Sequence, residues 1–235
     1  GLKSLEKCLN DICRDFDTER YSIRALAEKY MGFHRPGLDL NGCLEALVKA
    51  AAELTSMEAP EWEFIAARLL NFKFKTALSH ELSDRGITSL FDKISYLTTQ
   101  GLYGDYILES YSKAEIEEAE TMLCPQRDLL FNYSGLDLLL KRYVIHTHDH
   151  MPLETPQEMY MGIALHLAMK EGKDRMLWVR RFYDMLSRLE VTMATPTLSN
   201  ARKPYHQLSS CFIDTVPDSL DGIYRSVDNF AKVSK

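Results

Sequence analysis

Apolar residues return at helical spacing along most of this chain, a period that strands cannot use and that points to packed amphipathic helices. Leu2, Leu5, Leu9 and Ile12 form a first stripe, which predicts a helix ending near Phe16. Leu44, Leu47, Val48, Ala51, Ala52 and Leu54 form a second. Pro60 suits the first turn of a third helix, continued by Trp62, Ile65, Ala66, Leu69 and Leu70. Ser112-Lys113-Ala114-Glu115 and Thr155-Pro156-Gln157-Glu158 both read as capping boxes, in which hydroxyl and carboxylate satisfy each other's backbone amides at a helix start. Helices over 159–170 and 176–189 should flank the polar turn Glu171-Gly172-Lys173-Asp174. A last helix carries Ile223, Tyr224, Val227, Phe230 and Ala231 on one face, with Asp218 or Ser219 as its N-cap.

Strand signals are few: 143–147, β-branched and aromatic, and 207–214, which leads through Pro217 into the last helix. The fold class is therefore mainly α. Near Val191 charged helices give way to Thr195-Pro196-Thr197-Leu198-Ser199-Asn200, dense in hydroxyls and turn formers and expected to be a loop. A softer break falls at His34-Arg35-Pro36-Gly37. The expected divisions are 1–54, 55–190 and 191–235. With 235 residues, 46% of them hydrophobic, the chain can bury a sizeable core, which excludes disorder.

A net charge of −6 without a long basic run argues against a nonspecific grip on nucleic acid or an anionic membrane. No apolar run is long enough to span a bilayer and no signal-peptide core opens the chain, so a cytoplasmic protein is expected. Cys8, Cys13, Cys43, Cys124 and Cys211 are odd in number, scattered and without a Cys-x-x-Cys pair, the pattern of reduced thiols. The chain opens on Gly1-Leu2-Lys3 and is expected to be a fragment.

Three clusters invite chemistry. His146, His148 and His150 would share one face of a strand, as metal ligands do, but Met151-Pro152 follows at once and no partner ligand stands out, so no metal site is expected. The acidic run 115–120 sits in the first turns of a capped helix, where the dipole favours it, and Met159, Met161, Met169 and Met176 read as core. The stretch 193–221 differs in kind. Hydroxyls of Thr195, Thr197 and Ser199, a cysteine flanked by serines at 209–211 and a helix start at Pro217-Asp218-Ser219-Leu220 all suit a phosphorylated ligand without a basic patch.

Here the residues carry a family pattern. "MATPTLSNARKPYHQLSSCFIDTVPDSLDGIY", preceded by "RFYDMLSRLEVT", "SMEAPEWEFIAARLL", "RDLLFNYSGLDLLLKRYV" and "ETPQEMYMGIALHLAMKEG", resembles the N-terminal portion of the large, catalytic subunit of class I ribonucleotide reductase. The resemblance implies a helical N-terminal domain followed by a ten-stranded α/β barrel, of which this chain would hold the first strand and helix. It also implies that Thr195 and Ser210 hold the substrate diphosphate, that Cys211 is one of two cysteines delivering electrons to the ribose, and that Asp218, Ser219 and Leu220 open a dNTP specificity site. No cofactor is expected in this chain itself.

The implied partners are ribonucleoside diphosphates, dNTP and ATP effectors, a small subunit whose metal cofactor generates the radical, a thioredoxin- or glutaredoxin-like reductant, and a second large subunit. The segment alone is expected to be inactive. Residues 1–54 resemble the later helices of an ATP-binding cone, but Leu40 and Leu44 stand ahead of "LVKAAAEL" where related cones place polar contacts, so activity control there is not expected. A purely structural helical module would leave the 195–218 constellation unexplained, and a metal hydrolase on the histidines would demand stoichiometric zinc.

Overall fold

The computed structural model describes residues 2–147 and 149–235, with side chains from Lys7 onward. His148 and the side chains of Leu2 and Leu5 in the expected first stripe therefore lie outside the described residues. An N-terminal group contains α1 (Leu2–Cys13), α2 (Ile23–Met31), α3 (Leu40–Glu53) and α4 (Trp62–Asp84). Ser22 and Asp39 cap α2 and α3, their side chains accepting the amides of Ala25 and Gly42. One apolar cluster joins Ile12, Leu26, Leu44, Leu47 and Val48 to Trp62, Ile65 and Leu69, the first half of α4. The second half of α4, through Phe74 and Leu78, enters a larger cluster extending to Ala201.

That larger cluster is built from α5 (Leu90–Thr99), α6 (Asp105–Ser110), α7 (Lys113–Met122), α8 (Tyr133–Arg142), α9 (Pro156–Ala168), α10 (Arg175–Ser187) and α11 (Thr195–Asn200). Both expected capping boxes form, Ser112 with Glu115 and Thr155 with Glu158. The α9 helix is apolar nearly all round, with Met159, Met161, Ile163, Ala164 and Leu165 completely buried, as befits a helix enclosed by others. Its polar first turn is paired: Lys93 Nζ meets Glu158 Oε1 at 2.6 Å, and Gln157 Nε2 donates to the buried Asp128 at 2.8 Å. The Tyr183 hydroxyl in turn donates to Gln157 Oε1 at 2.8 Å.

The expected strands do not form. Among the described residues the β pairing is a single antiparallel bridge between His146 and Pro152. Leu153 N donates to Ile145 O and Thr147 N to Met151 O, each at 2.8 Å, but Pro152 has no N–H with which to extend a ladder. Residues 207–217 run without regular structure and mostly exposed, because a strand needs a neighbouring backbone and none lies beside them. The hydroxyl-rich stretch read as a loop is instead the short helix α11, opened by Pro196 in its first turn. The last helix, α12 (Leu220–Ser234), is capped by Ser219 rather than Asp218 and leaves Ile223, Val227 and Phe230 about half exposed.

Gly162 is fixed by space: a Cβ there would strike the Tyr103 hydroxyl and the Arg202 Cδ. Gly162→Ala should therefore displace the buried Arg202 and destabilise the chain by roughly 1–3 kcal/mol, read as a lower urea midpoint at unchanged slope. Arg202→Met, which strands the buried Glu154 carboxylate, should cost more, on the order of 3–5 kcal/mol. A melt unchanged by either substitution would show that this corner is not close-packed.

Candidate active site

The segment after α11 is held by one buried ion pair. Arg202 has a left-handed backbone, φ 77°, and a side chain with no solvent exposure. Its Nε lies 3.2 Å from both oxygens of Glu154, and its Nη2 makes a closer contact with Oε1. The other guanidinium hydrogens reach the carbonyls of Leu198 at 3.0 Å, Ala201 at 2.9 Å and Tyr143 at 3.0 Å. Glu154 completes the set by accepting Ile145 N at 2.9 Å. So many partners keep a non-glycine residue at positive φ, a conformation that by itself costs about 1–3 kcal/mol.

From this anchor the candidate residues are displayed outward. Thr195, the first residue of α11, is exposed, and its Oγ1 lies 3.2 Å from the Tyr143 hydroxyl. Thr197 is buried and Ser199 half-buried, so of the three residues in the stretch Thr195 is the most exposed. Asn200 Nδ2 donates to Gln207 O at 2.9 Å and leads the chain into the exposed run. Ser210 and Cys211 both lie in the open there, with Ser210 Oγ 3.7 Å from Cys211 Sγ. Cys211 is thus the exposed thiol of the five; Cys13 is buried and Cys8, Cys43 and Cys124 are half-buried.

Asp218, Ser219 and Leu220 follow as an exposed turn at the start of α12. The Ser219 side chain is committed to Gly222 N at 3.1 Å, which leaves the Asp218 carboxylate outside the cap. Asn229 Nδ2 donates to Asp214 Oδ2 at 3.1 Å, tying the open run to α12 and holding the Asp214 carboxyl below its ordinary range. No hydrogen bond among the described residues joins Thr195 to Ser210 or Cys211.

Residues 129–206 match the family model described as "Ribonucleotide reductase, all-alpha domain". The ribonucleoside-diphosphate reductase subunit alpha of Treponema pallidum is 61% identical over 227 residues, which is 97% of this chain and 27% of the relative. The chain belongs to the ribonucleotide reductase large-subunit family. The Helicobacter pylori (strain ATCC 700392 / 26695) subunit alpha is 36% identical over 191 residues, 81% of this chain and 23% of its own length. The Escherichia coli ribonucleoside-diphosphate reductase 1 subunit alpha is 30% identical over 189 residues, 80% and 24%. The chain spans about a quarter of the length of these curated relatives.

Other clusters carry less. His146 Nε2 pairs with Leu140 O at 2.7 Å, satisfying the end of α8, and His150 is exposed in a turn at φ 62°. Among the described residues no three His, Cys, Asp or Glu side chains gather as metal ligands. A cleft of about 1000 Å³ opens between α3, α4 and α8, and its wall includes Leu40 and Leu44 beside Lys49 and Lys73. Among the described residues no helix is long and apolar enough to cross a membrane.

Sequence reasoning missed a cluster beneath the chain leading to Cys211. His166 Nδ1 lies 2.8 Å from the Tyr106 hydroxyl and accepts Arg202 N at 3.5 Å, and the exposed His206 ring stands 5.2 Å away. The Tyr106 hydroxyl is also 3.2 Å from Lys203 O. Burial, with the nearby His206, lowers His166 from 6.5 to about 4. Between those values the unfolded chain binds the proton and the folded one does not, so this stability is full above pH 6.5 and is lost as pH falls toward 4. His166→Gln should flatten that part of the curve. Denaturant midpoints of the two proteins at pH 7 and pH 5 check it, and identical pH dependence would place the proton elsewhere.

Proposed function

We propose that this chain is part of the large subunit of a ribonucleoside-diphosphate reductase, supplying deoxyribonucleotides for DNA synthesis. The reading is supported above all by identity to subunits of that name over nearly the whole chain, in which Thr195, Ser210 and Cys211 are all exposed. Replacing the ribose 2′-hydroxyl by hydrogen needs two electrons and two protons. Two thiols closing to a disulfide provide both, and the hydroxyl leaves as water. Cys211 is one of these thiols. Its partner, and the cysteine whose thiyl radical takes the 3′-hydrogen, are not assigned to Cys8, Cys13, Cys43 or Cys124. That radical would come from the metal cofactor of a small subunit, and a thioredoxin- or glutaredoxin-like dithiol would restore Cys211.

In this reading the hydroxyls of Thr195 and Ser210 donate to the substrate diphosphate. Asp218, Ser219 and Leu220 receive a dNTP effector, with the first amides of α12 and its dipole favouring the triphosphate. The Asp218 carboxylate accepts from a ribose hydroxyl. Residues 191–235 begin the α/β barrel, in which 207–214 becomes a strand once neighbours lie beside it, and the exposed face of α12 meets a second large subunit.

Two substitutions in the full-length subunit test these roles. Cys211→Ser keeps the shape and removes the redox step, so steady-state turnover with the small subunit should vanish while nucleoside diphosphate still binds; normal turnover would make Cys211 a bystander. Asp218→Ala should weaken dTTP binding, measured by calorimetry, and blunt effector-dependent choice among the four substrates. Unchanged affinity and unchanged choice would leave Asp218 an ordinary residue beside a helix cap.

A further inference from the structure

We propose that Tyr143 is a positioning residue that orients the Thr195 hydroxyl as a donor toward the substrate diphosphate, an inference that rests on the reading of Thr195 given above. Tyr143 ends α8, where its amide donates to Leu139 O at 3.0 Å and its carbonyl accepts Arg202 Nη2 at 3.0 Å. Its ring belongs to the large apolar cluster. Backbone and ring are thus both fixed, and the phenol is a short rigid arm whose oxygen lies 3.2 Å from Thr195 Oγ1.

Thr195 needs such an arm. A threonine inside a helix can turn its hydroxyl back to the carbonyl three or four residues earlier, but Thr195 is the first residue of α11, preceded by non-helical chain. Either oxygen of the Tyr143–Thr195 pair can act as donor when no ligand is bound. A phosphate oxygen accepts only. Its arrival selects one order, in which Tyr143 donates to Thr195 and Thr195 donates to the phosphate, and each bond in such a chain strengthens the next. Phenylalanine would fill the same space and leave the threonine proton without direction.

The test uses the full-length subunit with its small subunit, comparing the parent protein with Tyr143→Phe, Thr195→Val and the double variant. Equilibrium binding of CDP and of cytidine is measured together with KM and kcat. Tyr143→Phe should weaken CDP binding about fivefold and raise KM to match, with kcat within about twofold and cytidine binding unchanged. Thr195→Val should weaken CDP binding more, and the double variant should be no weaker than Thr195→Val alone. If Thr195→Val weakens CDP binding while Tyr143→Phe does not, or if the two losses multiply, the positioning role is overturned and the reading of Thr195 survives. Unchanged CDP binding in Thr195→Val overturns the reading and the positioning role together. Equal loss for CDP and cytidine, or a fall confined to kcat, would show that Tyr143 acts only on the general structure.

Discussion

A guanidinium without solvent exposure, locked to a buried carboxylate, holds the displayed end of this chain in place. Removing two opposite charges from water is expensive, and the cost is offset only where the geometry is good and the remaining hydrogens find acceptors. Arg202 finds them in three carbonyls, and Glu154 in the Ile145 amide. Those partners belong to different parts of the fold: the end of α8, the turn before α9, and α11 with the residues after it. The pair therefore acts as a joint more than as a source of stability, since an apolar replacement could fill its volume but could not bind four backbone groups.

The joint works because α9 offers it a rigid wall. Gly162 lets the Arg202 side chain lie against that helix, and His166, one turn further along the same helix, receives the Arg202 amide. The first turn of α9 is tied down as well, by Lys93 on Glu158 and by the Asp128–Gln157–Tyr183 chain of hydrogen bonds. In a close-packed interior such ties transmit position, because side chains cannot slide without opening a void. The run beyond Lys203 has almost none of them. The fold thus moves within a few residues from a fully constrained arginine to an exposed thiol.

How far this could be read from the sequence depends on how local the cause is. The starts of α7 and α9 were legible because a capping box is complete within four residues, and the burial of Met159 and Met161 follows from the helical period. The state of 195–200 was not, because hydroxyl residues bond their own backbone in a turn as readily as in a short helix, and here the packing of Thr197 and Leu198 decides. Residues 207–214 show the limit from the other side: their β-branched and aromatic side chains set a preference, but a strand is a property of two backbones. Arg202 was the least legible. In the run Asn200-Ala201-Arg202-Lys203 nothing marks one cation for the interior, since its carboxylate lies 48 positions earlier in the chain. Tyr143 was hidden in the same way, read as a strand residue when its hydroxyl reaches across 52 positions.

This distribution of charge shapes what an anion would meet. Arg202 lies seven positions after Thr195 but is neutralised by Glu154, and burial lowers the affinity of Lys203 for its proton. The exposed donors around the candidate site are instead hydroxyls, at Thr195 and Ser210, and the first amides of α12, with the Asp218 carboxylate beside them. Neutral donors of this kind bind phosphate oxygens by direction and distance, with little of the long-range attraction that a basic patch exerts. A ligand held this way is selected by whether its oxygens fit fixed donors, and the fixing of those donors leads back through Tyr143 to the buried Arg202.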